Sequence, residues 1–164
     1  TVFKKGYSKF IENSVMSGLD GLTIPDLPVE ENQEIFEIAR KNDFKVVCFI
    51  APTTTDQRVS LITQKAQGFL YYISVVGITG IRDKLPDDII QNINKLKQMT
   101  NIPVAVGFGV STSEHAKLIG TVADGVIVGS AIMREIEKYA KEPSEELVRG
   151  VGEFVGQLIS GAKG

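Results

Sequence analysis

The sequence predicts an α/β fold in which short parallel strands alternate with amphipathic helices. Three observations predict it. Apolar, β-branched runs of strand length recur between segments whose apolar residues fall at helical spacing. Each run is nearly continuous in apolar residues, as in Lys45–Ile50 (KVVCFI), which is the pattern of strands covered on both faces. Two successive runs near the end, residues 102–106 and 125–128, pass through Gly107-Phe108-Gly109 and Gly129-Ser130 into helix starts. Backbone N–H groups at a helix start, with no Cβ in front of them, form a site for a phosphate. Two such junctions in succession are expected of the last two strands of a (β/α)8 barrel.

Composition sets bounds. The chain has 164 residues, one domain's worth, enough to bury roughly 70% of its unfolded surface. With 43% hydrophobic residues and a formal net charge of -2, it carries no basic excess for nucleic acid or an anionic membrane. One cysteine excludes a disulfide framework and suits a reducing compartment, so a cytoplasmic location is expected. Cys48 sits mid-strand and reads as a core residue. No apolar run reaches the roughly 18 residues of a membrane span, and residues 1–5 carry no cleavable leader pattern.

The elements follow in order. Residues 7–17 place Tyr7, Phe10, Ile11 and Val15 at helical spacing, with Gly18 as the stop. Residues 19–28 read as a short buried strand ended by Pro25 and Pro28. Residues 30–41 form a helix with Ile35, Phe36 and Ala39 on one face and Glu30 and Glu31 in its first turn, where the dipole favours them. After the strand Lys45–Ile50, Thr54 or Thr55 caps a helix to about residue 65 that buries Val59, Ile62 and Ala66. Residues 69–75 are a strand, and a loop with Gly77 and Gly80 runs to Pro86. Residues 87–99 are a helix with Ile89, Ile93, Leu96 and Met99 in one stripe. Ser111, three before Glu114, has the capping-box spacing for the helix after strand 102–106. Ser144, after Pro143, caps a last helix over 144–160 carrying Leu147, Val151, Phe154, Val155 and Leu158.

Asp20-Gly21 and Asp124-Gly125 echo one another, each turning the chain into a short apolar strand. Both aspartates therefore belong to the N-terminal rim, where barrels keep residues for stability. The count is five strands, whereas a closed barrel needs eight. The residues alone leave either an open doubly wound sheet or the back five-eighths of a barrel.

An ordered set of segments carries a resemblance. It comprises Thr1-Val2-Phe3 with Gly6; Asp20-Gly21; Pro25-Asp26-Leu27-Pro28-Val29-Glu30-Glu31; Ala51-Pro52-Thr53; Tyr71 through Ser74; Gly77-Ile78-Thr79-Gly80; Gly107-Phe108-Gly109-Val110-Ser111; and Gly129-Ser130-Ala131-Ile132. Along essentially its whole length the chain resembles the tryptophan synthase alpha subunit, from just before that family's third helix onward. The resemblance implies an incomplete (β/α)8 TIM barrel of about five parallel strands, a single domain over residues 1–164 forming the C-terminal part. It implies a lyase that cleaves indole-3-glycerol phosphate to indole and glyceraldehyde 3-phosphate in tryptophan biosynthesis. No cofactor is implied in this chain; pyridoxal phosphate belongs to the beta subunit, the expected partner in an alpha2-beta2 complex.

The family's catalytic glutamate and aspartate fall upstream of Thr1. Strands 1–3 are therefore expected to be absent, and the chain alone to be inactive. The matching residues serve binding. Gly80, Gly109, Val110, Gly129 and Ser130 match the family's phosphate site, and Ser130 adds a hydroxyl at a helix start. Tyr71, Phe108 and Thr79 match pocket residues, and Asp26 and Pro28 match the segment facing the beta subunit. Strand alternation puts Phe69, Tyr71 and Ile73 on one face, with Tyr71 toward the barrel interior. Val75 stands where many relatives carry an arginine.

His115, the one histidine, has no second histidine or cysteine beside it for a metal site. No Gly-x-Ser-x-Gly elbow occurs. Two alternatives stay open: a noncatalytic phosphate- or partner-binding module, and a phosphosugar isomerase or epimerase barrel. The second would need carboxylates or a metal at the strand ends, where only Asp26 stands.

Overall fold

The computed structural model describes residues 2–73, 88–107 and 109–163. Among them are five strands: β1 (Gly21–Thr23), β2 (Lys45–Ile50), β3 (Leu70–Ile73), β4 (Val104–Gly107) and β5 (Gly125–Ile127). Eight helices accompany them: α1 (Val2–Lys5), α2 (Tyr7–Met16), α3 (Gln33–Lys41), α4 (Asp56–Lys65), α5 (Ile89–Met99), α6 (Ser113–Gly120), α7 (Ser130–Lys138) and α8 (Ser144–Lys163). The strands are all parallel, lie in the order β1-β2-β3-β4-β5, and curl into an open half-barrel. The incomplete barrel expected from the sequence is what forms.

The helices pack on one face of this sheet. Val46, Cys48 and Ile50 of β2, Leu70 and Tyr72 of β3, and Val104 and Val106 of β4 join Ile35, Ile62, Ile93, Ile119 and Leu158 from the helices in one buried cluster. Of the alternate residues, Phe49, Tyr71, Ile73, Ala105 and Ile127 are only half-buried, while Val47 and Gly107 are buried. This corrects the expectation of strands covered on both faces, and with it the doubly wound alternative. Continuous apolar character arises here because the inner face also carries apolar side chains, with no helix over them among the described residues.

Several ends differ from the sequence reading. β1 keeps only three residues, and α3 starts at Gln33, so Glu34 and not Glu30 or Glu31 occupies its first turn. Glu30 instead pairs with Arg58 at 3.2 Å. Thr55 is the cap of α4, accepting the Arg58 N–H at 3.4 Å, while Thr54 Oγ1 accepts the Ala51 N–H at 3.0 Å. Ala66 is half-buried, just past the helix.

Thr112, not Ser111, caps α6 by accepting the His115 N–H at 3.2 Å. The capping-box spacing from Ser111 to Glu114 pointed one residue too early; the Ser111 hydroxyl lies 3.4 Å from His115 Nδ1. Ser144 is the first helical residue of α8 and not its cap, and the helix continues to Lys163.

The rim aspartates hold structure, by different means. Asp20 contributes its carbonyl, which accepts the Lys45 N–H at 2.9 Å. Asp124 contributes its side chain: Oδ1 meets Lys97 Nζ at 2.7 Å and Oδ2 accepts the Val104 N–H at 2.8 Å. The Lys97 ammonium and the Val104 amide hold its carboxyl below the usual carboxylate range. Gly21 leaves room for the Lys45 carbonyl, which a Cβ would strike.

Candidate functional site

The candidate site lies where β3, β4 and β5 end. Register places Phe49, Tyr71, Ala105 and Gly125 in one row across the inner face, with Ile73, Gly107 and Ile127 in the row beyond. The rings of Phe49 and Tyr71 lie 5.0 Å apart at 40°. The Tyr71 ring reaches over Gly107, where a Cβ would collide with its hydroxyl. Tyr71 is thus held between an aromatic neighbour and a glycine floor, with its hydroxyl toward the end of β4. Burial pushes its phenol pKa up.

Beyond β4, Gly109 adopts φ +81°, the left-handed region that favours glycine. Val110 is 5% exposed and its side chain belongs to the core, so only its backbone faces the site. Beyond β5, Gly129 is exposed at the N-cap of α7 with φ −122°, and a Cβ there would meet nothing within 4 Å. The space before α7 is therefore open, and glycine keeps it open without any demand from the backbone angle.

The two helix starts differ. Thr112 satisfies one amide of the first turn of α6, whereas Gly129 provides no side chain for α7. Ser130 begins α7, exposed, and its hydroxyl has no hydrogen-bond partner among the described residues. Open amides, a hydroxyl and the positive end of a helix dipole converge there.

Asp26 and Pro28 are exposed on the loop after β1. That loop is held from both sides: Tyr7 Oη donates to Asn32 Oδ1 at 2.8 Å, and Lys65 Nζ donates to the Val29 carbonyl at 2.9 Å. Thr79, Gly80 and Phe108, with Val75 and Gly77, lie outside the described residues. Cys48 is buried and its thiol pKa is pushed up to about 11, which makes it a packing residue. Among the described residues no group of three or more His, Cys, Asp or Glu could hold a metal ion, and no helix is long and apolar enough to cross a membrane.

Sequence reasoning missed Phe49 and Gly107 as parts of the inner face. Gly107 stood in the sequence as a turn residue, whereas in the structure it is the last residue of β4, paired with Ile73 and lying under the Tyr71 ring. The alternation of Val47 with Phe49 was the one available sign for Phe49.

Comparison with known proteins places this geometry. The family model described as tryptophan synthase alpha chain matches residues 1–162. A Thermoanaerobacter alpha chain is 42% identical over 159 residues, covering 96% of this chain and 59% of the relative. The Methanocaldococcus jannaschii alpha chain is 40% identical over 141 residues, covering 86% and 50%. Among solved structures, tryptophan synthase subunit alpha from Legionella pneumophila superposes with TM-score 0.84 at 29% identity, covering 99% of this chain and 59% of that one. A structure of the tryptophan synthase a2b2 complex from Pyrococcus furiosus gives 0.81 at 37% identity, covering 94% and 63%.

The chain thus spans between half and two thirds of the length of these relatives. The expectation that strands 1–3 and their carboxylates had been lost from it is corrected. The likeness to the alpha chain runs along 94–99% of this chain in the solved structures. Counting strands against eight measured how much of a barrel these residues form, which says nothing of where a protein begins. By the match over nearly all its residues, the chain belongs to the tryptophan synthase alpha chain family.

Proposed function

We propose that this chain serves the lyase reaction of tryptophan synthase alpha, the cleavage of indole-3-glycerol phosphate to indole and glyceraldehyde 3-phosphate. In this reading the phosphate sits at the adjacent β4 and β5 ends. The Gly109, Val110 and Gly129 backbone and the Ser130 amide and hydroxyl donate to its oxygens, and Gly80 closes the set. The observation that carries the reading is the uncapped, exposed start of α7 beside the left-handed Gly109 turn. A dianionic ester is the ligand such donors suit.

The half-buried inner rows support an aromatic ring bound next to the phosphate. Phe49 and Tyr71 form one wall and Ile127 another, and Gly107 leaves the floor low. Cleavage requires a proton delivered to the indole ring carbon and another taken from the glycerol hydroxyl. Tyr71, a phenol with a raised pKa, stays neutral near pH 7. It serves as a wall and hydrogen-bond donor, and not as that base. Phe108 and Thr79 complete the pocket in this reading.

The beta chain of tryptophan synthase, with its pyridoxal phosphate, is the proposed partner. Asp26 and Pro28 lie on the face toward it, and the assembly acts in the cytoplasm. The related Pyrococcus furiosus structure is of an a2b2 complex, which supports that partnership.

The test is calorimetric titration of the chain with glycerol 3-phosphate, alongside a lyase assay with indole-3-glycerol phosphate in the presence of beta chain. Saturable binding that weakens about tenfold in Ser130→Ala or Gly129→Asp is expected, from the loss of one charge-assisted hydrogen bond or from a carboxylate set against the anion. Binding unaffected by either substitution would remove the phosphate assignment.

A further inference from the structure

We propose that Asp124 is a positioning residue for the phosphate end, setting the alignment of the Gly109 and Gly129 junctions from the opposite rim of the sheet. The inference builds on the phosphate reading above. Asp124 and Val104 close a ring on one another: the Asp124 N–H donates to the Val104 carbonyl at 2.9 Å, and the Val104 N–H donates to Asp124 Oδ2 at 2.8 Å. The other carboxylate oxygen holds Lys97, in the last turn of α5, at 2.7 Å. One side chain therefore ties the end of α5 to the starts of β4 and β5.

The ring fixes a register. The ladder pairs Ala105 with Gly125, Val106 with Val126 and Gly107 with Ile127, an interval of 20 positions. Val104 and Asp124 are separated by the same interval, and so are Gly109 and Gly129. The clasp thus sits at one end of a ladder whose other end is the pair Gly107 and Ile127, from which the chain runs on to Gly109 and Gly129. β5 has three residues and pairs with β4 alone among the described strands. So short an edge strand has little else to resist slippage, and a slip of one residue would turn its side chains to the other face. At β1 the equivalent Asp20 gives its backbone carbonyl to Lys45, so among the described residues the side-chain clasp marks the β4–β5 pair, the strands that lead to the phosphate end.

The experiment compares the full chain with Asp124→Asn, Asp124→Glu and Asp124→Ala. Amide hydrogen exchange is read at Gly129 and Ser130, and affinity is read by titration with inorganic phosphate. Asparagine keeps an oxygen at the right distance for the Val104 N–H but loses the charge toward Lys97. Glutamate keeps the charge but is one methylene too long to close the ring. The expected order of protection and affinity is wild type, then Asn within about twofold, then Glu and Ala lower by about tenfold, the worth of one lost hydrogen bond to a charged acceptor.

If Glu matches or exceeds Asn, the carboxylate acts only through its ion pair and the proposal is overturned. The same holds if a folded Asp124→Ala exchanges as wild type does at Gly129 and Ser130. Should Asp124→Ala fail to fold, the order of Asn and Glu decides. A wild-type chain that binds no phosphate yet shows the exchange order would refute the phosphate reading and leave the clasp standing.

Discussion

The two faces of the sheet are made by alternate residues of the same strands, yet they do different work. Leu70 and Tyr72 face the helices and are almost fully buried, while Tyr71 and Ile73, one position away, remain half-open. The adjacent tyrosines show the contrast most directly. Tyr72 is wedged under α5 near Asp88 and Asn92, and burial with the Asp88 charge pushes its pKa up to about 12. Tyr71 lies against Phe49 over Gly107, where a ligand can reach it. Stability is concentrated on one face, and the other is left with shape and exposure for binding.

Three measurements sharpen that contrast or break it, and the largest concerns the core. Leu70→Ala or Ile93→Ala should cost about 3 kcal/mol in urea unfolding, within the range for fully buried aliphatic truncation. Ile127→Ala on the inner face should cost less, about 1 kcal/mol, since Ile127 is only half-buried. Equal losses would mean that both faces carry the fold.

Gly107→Ala comes next. The added methyl strikes the Tyr71 ring, so a loss of about 1–3 kcal/mol is expected, with weaker binding of glycerol 3-phosphate as the ring is displaced. Unchanged stability and binding would show that Tyr71 is not held against β4.

The smallest effect is a pH dependence. The folded Tyr72 pKa is raised above its unfolded value near 10. Its contribution to stability is therefore fully present below pH 10 and is lost as pH rises through about 12. Tyr72→Phe should flatten that alkaline decline in a pH series of denaturation midpoints. An unchanged slope would place the decline elsewhere.

Much of the fold was legible because it rests on local patterns. The apolar runs marked the strands, and the stripe of Ile89, Ile93 and Leu96 marked α5. Gly129 stands at the start of α7 as expected, whereas Gly107 belongs to β4 and Val110 and Ser111 separate Gly109 from the Thr112 cap of α6. Features decided by competition between neighbours were less legible. Ser111 and Thr112 are both able to cap, and the spacing to Glu114 favoured the wrong one, because the deciding factor is which backbone adopts the extended angle before the helix. Glu30 looked like a first-turn residue, but Arg58, 28 positions later, draws it into another pairing. The openness of the inner face was not legible either, since an apolar strand reads alike whether helices or a ligand lie over it. In the candidate site, Gly109 and Ser130 were singled out by position alone, whereas Phe49 joins Tyr71 through register and Gly107 through the reach of the Tyr71 ring.

The order of strands across the sheet repeats their order along the chain. Paired residues such as Gly21 with Lys45, Cys48 with Leu70, Leu70 with Val104 and Ala105 with Gly125 are 24, 22, 34 and 20 positions apart. Each pairing needs only the preceding described strand, so loop-closure entropy stays modest at every step. During synthesis the sheet can therefore extend by one strand at a time, without waiting for a distant segment to return. In that sequence β5 is the last of these strands to be added, and the two glycine junctions meet only when it docks.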